Sequence, residues 1–211
     1  MDTLFNSSVE LLAISTTAGN MQVVFKDTGP ALEEGPLSLV LQIDGLELYI
    51  LSFIFYPDKT SDNVQGDSIY VLRLQGIKNQ YEKIYQVTRS VGDIEPSVIL
   101  LKVLEAIAAK CGIHHVFGVS YSNQMVFNPT KSNKELFYNN YDAFWLRSNG
   151  MLLANGNYLI ELPLRSKAIE LIKQNHRKRA LLKRKKLNYM YHKALPNIEA
   201  LFKQDICYAN N

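Results

Sequence analysis

The segment HRKRALLKRKK, residues 176–186, places seven lysines and arginines in eleven positions, and from Leu171 to Met190 neither Asp nor Glu occurs. Positive charge at that density attracts phosphates, carboxylates or an anionic lipid surface. The excess is local. With Lys173, the segment holds eight of the 23 basic residues, which leaves 15 against 20 acids in the rest of the chain. On a helical wheel Ile169, Ile172, His176, Ala180, Leu187 and Met190 form one stripe, with Lys183 filling its gap, while Arg177, Lys178, Arg184 and Lys185 lie away from it. Such a helix rests its apolar side on a domain and turns its cations outward. Arg177, Lys178, Arg184 and Lys185 are therefore the candidate anion-binding residues.

Other residues offer weaker chemistry. Gln75 beside Gly76 ends an apolar run and either lines a cleft or ties down a loop. Ser120 and Ser122 offer hydroxyls at the end of a strand, where open α/β sheets place ligands, but Gly118-Val119-Ser120-Tyr121-Ser122 lacks the second glycine of a nucleophile elbow. His114 and His115 are adjacent, so on a strand they face opposite ways. Asp142 and Trp145, read on a strand, pair an acid at its entrance with a core aromatic. The two cysteines, Cys111 and Cys207, form neither a Cys-x-x-Cys nor a zinc set, and no metal is expected. The basic segment has no helix-turn-helix, RNA-binding signature or aromatic-and-glycine interleaving, which disfavours nucleic acid.

The elements that would position these groups follow from pattern. Residues 1–36 are mixed and end in TGPALEEGP, a loop signal, so they are set apart as an N-terminal segment. SLVLQI and LELYILSFIFY flank Asp44-Gly45, the signature of a type I′ hairpin. After the polar stretch PDKTSDNVQGD, SIYVLRLQG gives a third strand. KNQYEKIYQVTR reads as a short amphipathic helix, and EPSVILLKVLEAIAAKCG as a longer one opened by Pro96 and stopped by Gly112. IHHVFGVSYS, YDAFWLRSNG and NGNYLIELP read as strands, and about 166–204 as helix broken at Pro196. The expectation is an α+β core over 37–165, with a mixed, mainly antiparallel sheet around a central helix, and a basic helical extension over 166–211. The most apolar stretch is interrupted by Asp44 and Glu47 and cannot span a bilayer. MDTLFNSSVELLAISTTAG lacks the basic start and unbroken apolar run of a signal peptide, so a cytoplasmic setting is expected, with peripheral attachment to the inner membrane open.

The series IYVLRLQG, YQVTRS, a helix opened by Pro96, GIHHVFGVS, YDAFW, GNYLIELP and a late Lys/Arg-rich helix resembles the VirK/YbjX family of Gram-negative bacteria. The matching residues run from about Leu37 to Lys186. The resemblance implies an envelope and virulence factor, tied to survival of cationic antimicrobial peptides and to lipid A remodelling. With the charge of the basic run, the expected partner is an anionic lipid or an envelope protein, and no cofactor is expected. Family members commonly carry a longer N-terminal portion. Two departures weaken any mechanism that rests on them: Glu95-Pro96-Ser97 stands where the family has a basic helix entrance, and Gln124 where a histidine is common.

The order of hairpin, strand, helix, strand and two further strands is also similar to the core of GNAT-type acyltransferases. That likeness implies acyl-CoA or acyl carrier protein, with its phosphates on backbone N–H groups at a helix start. Arg89 and Gly92 fit the beginning of such a loop; Ile94 stands where a small residue is expected, and Asp93 and Glu95 oppose a phosphate. Gln75, Arg89, Gly92, Ser120, Ser122, Gln124, Asp142 and Trp145 are the candidate cleft. Contact with anionic envelope components is the leading expectation and acyl transfer the alternative.

Overall fold

The structure, a computed structural model, describes residues 8–27, 35–57, 66–125 and 127–208, the side chains of 204–208 excepted. Most of the two loop signals TGPALEEGP and PDKTSDNVQGD, and the Cys207 side chain, lie outside the described residues.

Asp44 and Gly45 both have positive φ, 48° and 82°, the geometry of a type I′ turn. They join β3 (Leu37–Ile43) to β4 (Leu46–Tyr56) as the sequence predicts. Upstream, residues counted as a mixed segment form a second hairpin, β1 (Ser8–Thr16) and β2 (Gly19–Asp27), which adds to β3. Its pattern was hidden by a bulge between Glu10 and Leu12, which leaves consecutive Leu11 and Leu12 both buried and breaks the period of two. The turns of the two hairpins are tied together: Asp44 Oδ1 accepts from the Asn20 amide at 2.9 Å, and its carboxylate occupies the space a side chain at Gly19 would need.

β5 (Ser68–Gly76) follows β4, and the chain then makes α1 (Tyr81–Ser90) and α2 (Pro96–Lys110) before returning as β6 (His115–Gly118), parallel to β5. Residues 134–161 form α3 (Lys134–Asn140), α4 (Asp142–Arg147), β7 (Met151–Leu152) and β8 (Tyr158–Glu161). The sheet order is β1-β2-β3-β4-β5-β6-β8-β7, and every neighbouring pair but β5/β6 is antiparallel. This is the expected α+β class with a mixed, mainly antiparallel sheet around a central helix.

Two predicted elements change. YDAFWLRSNG is helix α4, not a strand. Six residues are too few to separate a helical from a β period, and Phe and Trp favour the β reading. With the helix formed, Tyr141 at its N-cap and Phe144 and Trp145 within it turn inward together, at 3%, 3% and 0% exposure. The C-terminal helix α5 (Gln174–Tyr208) starts later than predicted and runs through Pro196. Pro196 and His192, whose carbonyl loses its helical partner there, lie on the exposed side, while Met190, Ala194 and Ile198 hold the helix on the core. Residues 164–173 are irregular apart from one 3-10 turn, Ile169–Leu171, so Ile169 and Ile172 drop out of the predicted stripe.

α2 is buried on nearly all sides: Ile99, Leu100, Val103, Leu104, Ala106 and Ala108 are fully enclosed. It packs on β3, β4 and β5, and α5 packs on α2 and β1. The one acid within it, Glu105, is satisfied by Lys102 at 2.7 Å and by the Leu164 amide at 3.2 Å. Trp145 locks α4 to the sheet. Its indole Nε1 donates to the Val119 carbonyl at 3.0 Å, and its ring lies 2.4 Å from where a Cβ on Gly118 would stand. Gly118→Ala is therefore expected to lower stability by about 1–3 kcal/mol, since a fully buried indole cannot yield, as measured by urea denaturation; Trp145→Phe in the same background should recover part of the loss.

Candidate functional site

The basic helix meets the domain at the α1–α2 junction. Gly92 and Asp93, with φ of 86° and 60°, reverse the chain between the two helices. Asp93 then gathers cations: Arg89 reaches Oδ1 at 2.7 Å, Arg179 reaches Oδ2 at 2.7 Å, and Lys183 donates to its carbonyl oxygen. Burial works to raise the Asp93 carboxyl, but the hydrogen bond from Arg89 and the charges of Arg179, Arg89 and Lys183 together hold it below the ordinary carboxylate value.

The other cations of the run have different partners. Arg177 donates to the Ile172 carbonyl at 2.9 Å and to the Glu170 carbonyl at 3.0 Å, and Arg184 donates to the Lys167 carbonyl. A carbonyl fixes a guanidinium without cancelling its charge, and arginine has donors to spare. Lys178 and Lys185 are exposed and pair with no acid among the described residues. Only Arg179 of residues 176–186 meets a carboxylate among those described, so the positive field survives folding.

A cleft of about 410 Å³ opens beside this junction, between the start of α2, the end of α4 and α5. Val98, Leu101, Phe144 and Leu187 give it an apolar floor, and Lys102, Arg147, Lys183 and Arg184 stand around it with Asp93 and Glu95. Arg147 and Glu95 form an exposed pair at 3.4 Å.

A second cluster lies at the end of β6. Asp142 is buried at 6% exposure, and its two oxygens accept from the Tyr121 amide at 2.7 Å and the Tyr158 hydroxyl at 3.1 Å. Ser120 and Ser122 hydroxyls are 3.1 Å apart, and Asn157 accepts from the Ser120 amide at 3.2 Å. Gln124 follows in the chain, buried, with its Nε2 making no hydrogen bond among the described residues. Burial, the hydrogen bond to Asp142 and its charge push the Tyr158 hydroxyl up to about 12. No histidine enters this cluster: His114 is exposed ahead of β6 and His115 is half-buried at its start. Through its two oxygens Asp142 joins the turn after β6 to α4 and β8.

The candidate cleft residues thus divide. Ser120, Ser122, Gln124, Asp142 and Trp145 gather at the end of β6; Arg89 and Gly92 sit at the α1–α2 junction. Gln75 belongs to neither and sets its side-chain amide against Arg73 on β5. Sequence reasoning missed Asp93 as the hub of the cations, Arg147 and Lys102 at the cleft, and Tyr158 and Asn157 beside Asp142. Only Asp93 carried a signal, as an acid three residues past a helix end in a chain with a distant excess of cations.

The family model described as "Protein of unknown function (DUF535)" matches residues 1–191. The chain belongs to that family, which is the VirK/YbjX family, and the match extends beyond the 37–186 span of the sequence resemblance to take in β1 and β2. No curated protein and no solved structure matches the chain.

The Asp142 cluster has a measurable titration. Tyr158 is held neutral when folded, so its contribution is complete below pH 10, the ordinary phenol value, and is lost as pH rises through about 12. In a difference-absorbance titration, Asp142→Asn should bring this phenol's transition down toward 10. Asp142→Ala, which strands the Tyr121 amide and the Tyr158 hydroxyl, should cost about 1–3 kcal/mol in chemical denaturation.

Proposed function

Starting from membership of the DUF535 (VirK/YbjX) family, we propose that this protein supports the bacterial envelope, and tolerance of cationic antimicrobial peptides, by docking α5 on an anionic membrane surface. The observation that carries this reading is the outward side of α5. Lys178, Leu181, Leu182, Lys185 and Tyr189 follow one another at helical spacing, and Leu181, Leu182 and Tyr189 are 51%, 53% and 55% exposed. The opposite side, through Leu187, Met190, Ala194 and Ile198, faces the core. A helix with apolar and cationic groups on one exposed side suits the boundary between headgroups and acyl chains. Each Lys or Arg near an anionic leaflet contributes about 1 kcal/mol, which gives reversible attachment. Attachment of this kind needs no spanning segment, and no helix among the described residues is long and apolar enough to cross a membrane.

Acyl transfer is the second reading, favoured by one feature: β5 and β6 run parallel around α2 and are followed by two antiparallel strands, the order such enzymes use. The ligand would be acyl-CoA or acyl carrier protein. Against it, the Gly92 and Asp93 amides are taken by the carbonyls of Arg89 and Thr88 at 3.0 and 2.8 Å.

Vesicle sedimentation tests the first reading. Lys178→Glu with Lys185→Glu should weaken binding to anionic vesicles by about tenfold or more, and binding should fall with salt, since these lysines hold nothing else in place. Arg177 and Arg184 are unsuitable for this purpose because they secure the 167–172 segment. Unchanged binding in the double variant would remove the membrane reading. A thermal shift with acyl-CoA or acyl carrier protein, absent with vesicles, would move the conclusion to acyl transfer.

A further inference from the structure

The inner side of α5 has a different geometry from its outer side. Where the outer side is a convex strip, the inner side closes the 410 Å³ cleft, whose size suits one small molecule. Its floor is apolar: Ile94, Leu101 and Phe144 are 2–3% exposed, and Val98, Leu164 and Leu187 are half-buried around them.

The charge at the mouth can be followed pair by pair. Lys102 is neutralised by buried Glu105 at 2.7 Å. Arg147 and Glu95 cancel one another in an exposed pair. The Asp93 carboxylate is matched by Arg89 and Arg179, neither of which lines the cleft. Lys183 and Arg184 remain. Both line the cleft, and both are held by neutral backbone carbonyls, those of Asp93 and Lys167. Two cations are therefore fixed in position with their charge uncancelled, next to an apolar floor. Pre-positioned donors of this kind bind an anion without the ordering cost a free lysine would incur.

We propose that this cleft binds a single anionic amphiphile, a molecule with a phosphate or pyrophosphate head and an acyl tail. The head meets Lys183 and Arg184, and the tail lies over Val98, Leu101 and Phe144. The proposal is independent of membrane docking by the outer side of α5, because the two use different residues. Two sources carry this chemistry: a single-chain phospholipid from a membrane, and a soluble acyl-CoA.

Calorimetric titration of the full chain tests it, using lysophosphatidic acid below its micelle concentration, a long-chain acyl-CoA, and the tail-less counterparts glycerol phosphate and CoA. At least one tailed compound should bind at least tenfold tighter than its tail-less counterpart, and added salt should weaken it. Val98→Trp fills the cleft and should abolish binding. Arg147→Glu, an exposed change at the rim that leaves the core untouched, should weaken it by about three- to tenfold. Binding of lysophosphatidic acid alone assigns the membrane source, binding of acyl-CoA alone the soluble one, and binding of both the shared chemistry. The proposal is overturned if neither tailed compound binds, if tails add nothing, or if Arg147→Glu and a folded Val98→Trp both retain full affinity. Lys178→Glu with Lys185→Glu should leave these affinities unchanged, so loss of vesicle docking and loss of cleft binding can be told apart.

Discussion

A helix that is apolar on nearly every side has to be covered on every side, and α2 imposes that constraint on the whole chain. The sheet covers one flank through β3, β4 and β5, and α5 covers another. Burying such a helix stabilises the fold at roughly 25 cal/mol per Å² of apolar surface, a driving force large enough to decide where other elements go. α5 can meet this demand only along the stripe through Leu187, Met190, Ala194 and Ile198, because elsewhere along its first half it is too cationic to bury. Placement of the positive charge is therefore a consequence of core formation. Cations that cannot go inward are left at the cleft mouth and on the outer strip.

The way those cations are held separates their roles. Arg179 is spent on Asp93, a contact that docks α5 at the α1–α2 junction. Surface ion pairs are worth little singly, but Arg89 and Arg179 converge on one carboxylate, and a network of that kind has more geometric definition than isolated pairs. Arg177, Lys183 and Arg184 are tied to carbonyls, which restricts their motion and leaves their field intact. Lys178 and Lys185 are exposed and pair with no acid among the described residues. One stretch of charge thus contains an anchor, a set of pre-positioned donors and an exposed fringe, which composition alone cannot distinguish.

Sequence was most informative where local chemistry and tertiary demand agreed. Asp44-Gly45 specifies its turn by backbone preference, Pro96 opens α2, and the run through β5 is apolar enough to be recognised as buried. It was least informative where a long-range contact overrode a local tendency. The bulge in β1 hid a strand, the shortness of α4 hid a helix, and burial of Met190 and Ile198 carried α5 past a proline. The candidate site suffered in the same way. Asp93 is 86 positions from Arg179, and no spacing rule connects them. Asp142 was singled out on a strand, where it would have pointed away from Trp145, whereas on a helix both turn into the fold.

That last difference bears on how the cleft is built. As a strand, 141–150 would have extended the sheet and left α2 open at its start. As a helix, it sends Trp145 into the notch above Gly118 and brings Phe144 and Arg147, on the same short element, to the cleft. Trp145 is thus the fixed point from which the cleft wall is positioned: its indole bond to the Val119 carbonyl sets α4 against β6, while Asp142 sets the same helix against Tyr121 and Tyr158. Cations contributed by α5 then face a wall whose orientation is set by two buried polar contacts. A ligand cleft with one flexible side would lose part of its binding free energy to ordering that side. Here the α4 wall is anchored on the sheet and the α5 wall on α2, so the two cations left uncancelled between them stay in place.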